Sequence, residues 1–218
     1  MKSWNQFRKK LGWFVFFVAV SAWACRYSVR DTGFVDLGLE AYRLRWVPES
    51  GASAEVRSKA ELLLRDSNVV WDEDPTGGGF PRTAGLYLRD VEGRILSLPL
   101  PNPSDGPAVL RGVEMAVTSP LRERVYREGL RAYALVLLLE GTDAAANARV
   151  RRDVDSAITA TARLLSTMPK PVEIPPHCVV VSLKEQAIER VLVWGLGLDP
   201  ASIESPRVVL VYGRGRRL

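Results

Sequence analysis

Residues Tyr133 to Met168 constrain the fold most. They open on Tyr133-Ala-Leu-Val-Leu-Leu-Leu139, an apolar run too short and too continuous for a surface helix. Such a run reads as a strand buried on both faces. The turn Glu140-Gly-Thr-Asp143 follows at once, then a helical pattern over 143–168. Val150, Val154, Ile158, Leu165 and Met168 share one helix face, and Arg149, Arg151, Arg152, Asp155 and Arg163 the other. Strand, tight turn and long helix make the first half of a βαβ unit, so the fold class is predicted as α/β.

The rest of the chain is read around that stretch. Tyr42-Arg-Leu-Arg-Trp-Val47 alternates with period two and predicts a strand with one polar face. Phe34–Leu37 is a candidate edge strand. A helix is expected over 53–66, capped by Ser50 or Ser53, with Val56, Ala60, Leu63 and Leu64 inward. Short strands follow at 69–72, 85–89 and 94–98, the last two joined by the turn Asp90-Val-Glu-Gly93. Pro99 to Pro107 reads as a proline-rich connector and the best domain boundary. Ser119-Pro120 starts a helix to about Leu130. Beyond the long helix lie a strand at 177–182, a helix at 183–196 opened by the capping pair Ser182 and Glu185, and a strand at 207–212.

At the N-terminus, Lys2, Arg8, Lys9 and Lys10 precede an apolar run from Leu11 to Cys25. They account for most of the formal net charge of +5, so the rest of the chain is nearly neutral. That distribution excludes a nucleic-acid binder, which keeps its excess charge on the folded part. Two readings of residues 1–25 stand: a signal peptide cleaved after Ala22-Trp23-Ala24, and a retained membrane anchor. Cys25 at the first mature position raises a lipoprotein reading, against which Ala22 and Trp23 argue. A buried core helix is the remaining reading of this run. In either membrane case the remainder is expected outside the cytoplasm, in the cell envelope or periplasm.

The two halves share an order of elements. Strand, helix and strand lead through Pro81 to two strands and a turn, and again through Pro206 to a strand and a turn. This pattern resembles the thioredoxin-like fold, a βαβ unit followed by a ββα unit. The resemblance implies two tandem modules, residues 26–107 and 108–218, after the hydrophobic segment 1–25. It also implies cis-prolines at Pro81 and Pro206, each before a third strand. The family's Cys-x-x-Cys would fall at Pro48-Glu-Ser-Gly51 and Glu140-Gly-Thr-Asp143, where no cysteine stands. The first copy lacks its second helix, and only Arg216-Arg217-Leu218 follow the last turn. The expected strand 207–212 lies beside 133–139, with a far side incompletely covered and open to a partner.

No catalytic motif emerges. Cys178 sits in a valine-rich strand and reads as an inert buried thiol. A disulfide to Cys25 is left open. The single histidine, His177, and two cysteines do not make a structural zinc site. Gly77-Gly78-Gly79 lacks the Gly-Lys-Ser/Thr of a phosphate loop. Gly213-Arg-Gly-Arg-Arg217 reads as a turn with solvated arginines. Asp72 and Asp74 on an acidic loop, and Thr142 and Asp143 after the central strand, are candidate ligand-loop residues. Solvated acids and a helix cap are their competing readings. The sequence therefore predicts a non-catalytic envelope protein of interaction modules, held to the membrane through residues 11–25, without cofactor or metal. The rival is an envelope enzyme or small-molecule binder acting through the loops after 69–72 and 133–139.

Overall fold

A computed structural model describes residues 41–49, 53–73, 78–167 and 172–212, and the backbone of 216–217. The expectations for residues 1–25, Phe34–Leu37, Cys25, Ser50, Asp74, Gly77 and Met168 lie outside the described residues. So do the side chains of the Gly213–Arg217 turn.

The architecture is mixed α/β, with two sheets flanked by helices. The first sheet contains β1 (Tyr42–Val47), β2 (Val69–Trp71), β3 (Gly85–Arg89) and β4 (Ile95–Leu98), in the order β2-β1-β3-β4. β1 and β2 are parallel, while β3 runs antiparallel to both β1 and β4. The second contains β5 (Leu135–Leu139), β6 (His177–Val181), β7 (Arg207–Tyr212) and the two-residue β8 (Arg216–Arg217). Its order, β6-β5-β7-β8, and its strand directions repeat those of the first.

The first sheet has one helix-covered face. α1 (Ala54–Leu64), capped by the Ser53 hydroxyl, and α2 (Gly106–Val117), capped by Asp105, enclose Leu44, Leu86, Leu88 and Leu96. Ala60, Leu64, Val109, Val113 and Ala116 are their inward residues. Alternation along β1 then sends Arg43 and Arg45 to the opposite face. β5 is buried at every residue because helices lie on both of its faces. α3 (Pro120–Arg131) packs Val125 on the side of Leu135, Leu137 and Leu139. α4 (Ala144–Leu164), with a 3-10 turn at Leu165–Thr167, lies over Leu138 and Val180. Val154 is buried in α4, Val150, Ile158 and Leu165 are half-buried, and the arginine face is exposed.

Several expectations are corrected. Residues 99–107 are not wholly a connector, because Gly106 opens α2, whose apolar face closes the first core. A division between 107 and 108 would cut that helix. The helix after Ser119 packs in the second core, within the module 108–218 expected for it. The helix expected over 183–196 breaks at Glu189 (φ −90°, ψ 36°) into α5 (Leu183–Ile188) and α6 (Arg190–Gly195). The break turns Ile188 outward to 60% exposure. No described peptide bond is cis, so Pro81 and Pro206 are both trans. Bends at Arg82–Ala84 separate Pro81 from β3, so no tight reversal falls at the proline. Thr142 fixes the approach to Pro206 by donating from its backbone N–H (2.9 Å) and hydroxyl (3.2 Å) to the Glu204 carbonyl. Without such a need the ordinary trans preference of about 0.5–1 kcal/mol decides.

α6 joins the two cores. Val193 is fully buried in the second, and Trp194 in the first. The Trp194 ring lies 5.9 Å from that of Tyr42 and 5.2 Å beneath the Arg94 guanidinium. β7 lies beside β5, as expected, pairing Leu135 with Val211 and Leu139 with Arg207. The chain returns as β8 against Val211 and Tyr212 only, so Arg207–Leu210 have no strand beyond them among the described residues and that side is incompletely covered, as expected. Val208 remains 47% exposed on the face that holds α4.

Candidate functional site

Asp72 is fully buried and serves the fold. Its carboxylate accepts from Arg43 Nη1 at 3.2 Å and Arg45 Nη1 at 2.9 Å. Its backbone N–H extends the β1–β2 pairing to the Leu44 carbonyl at 2.8 Å. Burying a carboxylate is tolerated when it is paired and hydrogen-bonded in this way. Both oxygens are engaged, which leaves a poor ligand for a cation.

The loop after β5 is likewise closed on itself. Asp143 caps α4 by accepting from the Ala145 N–H at 2.8 Å. The Asn147 side chain pairs with both backbone groups of Gly141, at 2.8 and 2.9 Å. A Cβ on Gly141 would stand 2.4 Å from the Glu204 carbonyl oxygen, so the loop packs against backbone at that residue. Asp72 and the Thr142–Asp143 pair therefore sit on different sheets in separate structural roles. Among the described residues no three histidine, cysteine, aspartate or glutamate side chains cluster as a metal site.

Cys178 is partly buried on β6, and burial pushes its thiol pKa up, away from the reactive thiolate. His177 Nε2 lies 2.7 Å from Glu128 Oε2, tying β6 to α3. That hydrogen bond, with help from Arg124, holds the Glu128 carboxyl below its ordinary value.

The remaining chemistry lies on the face of the first sheet that carries no helix among the described residues. In the second sheet, α5 and α6 occupy the connection between the second and third strands. In the first, the corresponding connection contains no helix among the described residues. Where the second sheet places Leu135, Leu137 and Leu139, the first places Arg43 and Arg45, with Tyr87 and Arg89 on β3. Phe80 folds back over half of this face, with Arg45 5.7 Å and Arg89 4.7 Å from its ring centre. Tyr87 is buried there and its hydroxyl bonds Thr83 Oγ1 at 2.7 Å. The row Val70–Arg43–Arg89 stays open.

Arg43 and Arg89 are direct cross-strand neighbours. They line a surface groove of about 400 Å³ with Val70, Asp90 and Val91. Asp90 is occupied, accepting from the Arg94 backbone N–H at 2.8 Å and from its Nε at 2.6 Å. Gly93 adopts φ 84° to close that turn. Sequence reasoning found the polar face of β1 but missed this pairing. The signal was Arg43 near the start of the run 42–47 and Arg89 at the end of the run 85–89.

Neither a protein-family model nor a curated protein matches the chain.

Proposed function

We propose that the chain is a non-catalytic envelope protein, membrane-anchored or exported, whose two thioredoxin-like modules serve protein interaction. One observation supports the modules best: two sheets of the same order and strand directions, each opening with a βαβ unit whose helix start lacks cysteine. In the first, β3, β4 and α2 supply the ββα unit that the thioredoxin-like resemblance implies. The trans prolines remove its cis-proline signature, so the likeness rests on strand order and direction alone. A thiol mechanism has no support in Cys178, whose thiol pKa is raised by burial.

The rival, an envelope enzyme or small-molecule binder at the two loops, has less support at Asp72, whose two oxygens are both engaged, and at Asp143, one of whose oxygens caps α4. Export is supported by the basic residues before the apolar run 11–25. No helix among the described residues is long and apolar enough to cross a membrane.

The test is cross-linking of the full chain in its native membranes, followed by capture and identification of attached proteins. A reproducible partner supports the reading. A chain that cross-links to nothing and turns over a small molecule sinks it. A reporter active only in the cytoplasm, fused after Leu218, is expected to be silent.

A further inference from the structure

We propose that the groove between Arg43 and Arg89 docks an acidic segment of a partner protein, an inference that rests on the interaction reading above. The first argument is charge. Arg43, Arg45 and Arg89 share one carboxylate on this face, that of Asp72. Asp90, and Glu92 at 3.4 Å, are both directed to Arg94. Arg89 meets the Phe80 ring and no carboxylate among the described residues. Like charges placed directly opposite on neighbouring strands repel. An incoming carboxylate relieves that repulsion while gaining charge-assisted hydrogen bonds.

The second argument is shape and apolar lining. Val70 and Val91 flank the arginines at 43% and 54% exposure. A lone phosphate would use the charges and leave both valines in water. A peptide with acidic residues flanked by aliphatic ones uses all four groups. The third is the comparison within the molecule. The same face of the second sheet is aliphatic and sealed by its own helices, whereas the first keeps arginines where no helix covers it among the described residues. The partner's acidic segment takes the place of that cover.

The probe is a fluorescein-labelled peptide with a central glutamate-aspartate cluster between valines, titrated with the full chain in detergent and followed by anisotropy. Saturable binding that weakens with added salt is expected. Arg43→Gln and Arg89→Gln each weaken it about tenfold or more, the loss of a hydrogen bond to a charged group. Arg149→Gln, on the exposed face of α4, leaves it unchanged. The thermal midpoint of Arg89→Gln stays at or above wild type, because a repulsive pair is removed, whereas Arg43→Gln lowers it, because the buried Asp72 carboxylate loses one of its two partners.

Equal binding of the glutamine-asparagine version of the peptide overturns the proposal, as does wild-type affinity in both groove variants. Inorganic phosphate competing at the same concentration as unlabelled peptide overturns it in favour of a small-anion site. Binding to phosphatidylglycerol vesicles that depends on Arg43 and Arg89, without peptide binding, overturns it in favour of a lipid surface. A partner cross-linked equally by wild type and by the Arg43→Gln/Arg89→Gln double variant sinks the groove and spares the interaction reading. Peptide binding with no cross-linked partner does the reverse.

Discussion

Replacing Trp194 by alanine should damage the sheet that lies furthest from it in sequence. Its side chain, 6% exposed, fills the first core beside Tyr42. A buried aromatic of this kind hides 150–250 Å². At about 25 cal/mol per Å² that is roughly 4–6 kcal/mol of transfer free energy. The Arg94 guanidinium 5.2 Å above the ring adds about 0.5–1 kcal/mol. Partial collapse around the vacancy offsets some of this, so the expected loss is about 3–5 kcal/mol. Whole domains hold only about 5–15 kcal/mol, so the change is large. Urea denaturation of the chain, followed by circular dichroism, measures it. Hydrogen exchange locates it: the amides of β1 and β3 should lose protection. Trp194→Phe should recover most of the loss. A penalty under about 1 kcal/mol, or unchanged exchange in β1 and β3, would refute the assignment of this ring to the first core.

Asp72→Asn leaves Arg43 and Arg45 facing each other without a counter-charge, at an expected cost of about 2–3 kcal/mol in urea denaturation. Adding Arg45→Gln should then cost less than it does alone, because the two sites share one interaction. Gly141→Ala drives a methyl into the Glu204 carbonyl and should cost about 1–3 kcal/mol, read as a lower thermal midpoint. Glu128 and Glu185 have carboxyl pKa values lowered by their hydrogen bonds to His177 and Ser182. Their stabilisation is present above their ordinary value of 4.5 and lost as pH falls through the lowered values. Thermal midpoints measured down this range should therefore fall more steeply in wild type than in Glu128→Gln.

The strands were readable wherever one physical signal dominated. Unbroken aliphatic runs marked β5 and β7, and alternation marked β1, because burial on two faces or one leaves those patterns. Ser53, Ser119 and Ser182 announced their helices through capping chemistry. α2 was missed although Asp105-Gly-Pro107 carries the same cap-then-proline signal as Ser119-Pro120. Prolines on either side drew the reading toward a connector, and the spacing of Val109, Val113 and Ala116 was passed over. The break at Glu189 has no local marker, since two cores competing for α6 decide it. The candidate site was half readable. Alternation told that Arg43 and Arg45 face away from the core. Only the register of β1 against β3 brings Arg89 opposite Arg43. For Asp143 the helix-cap reading holds, whereas the solvated-acid reading of Asp72 is overturned, because only the tertiary fold places its carboxylate between Arg43 and Arg45.

The short helix at 190–195 gives Val193 to one core and Trp194 to the other. The two sheets are therefore not separable building blocks. A gene fragment ending before Arg190 would encode the first sheet without its Trp194 plug. A fragment beginning at Ser119 would carry that indole into water. Recombination can transplant the pair together, but a crossover between them leaves each product with an unfinished interior. Two units of like topology are in this way held to a single inheritance by one turn and a half of helix.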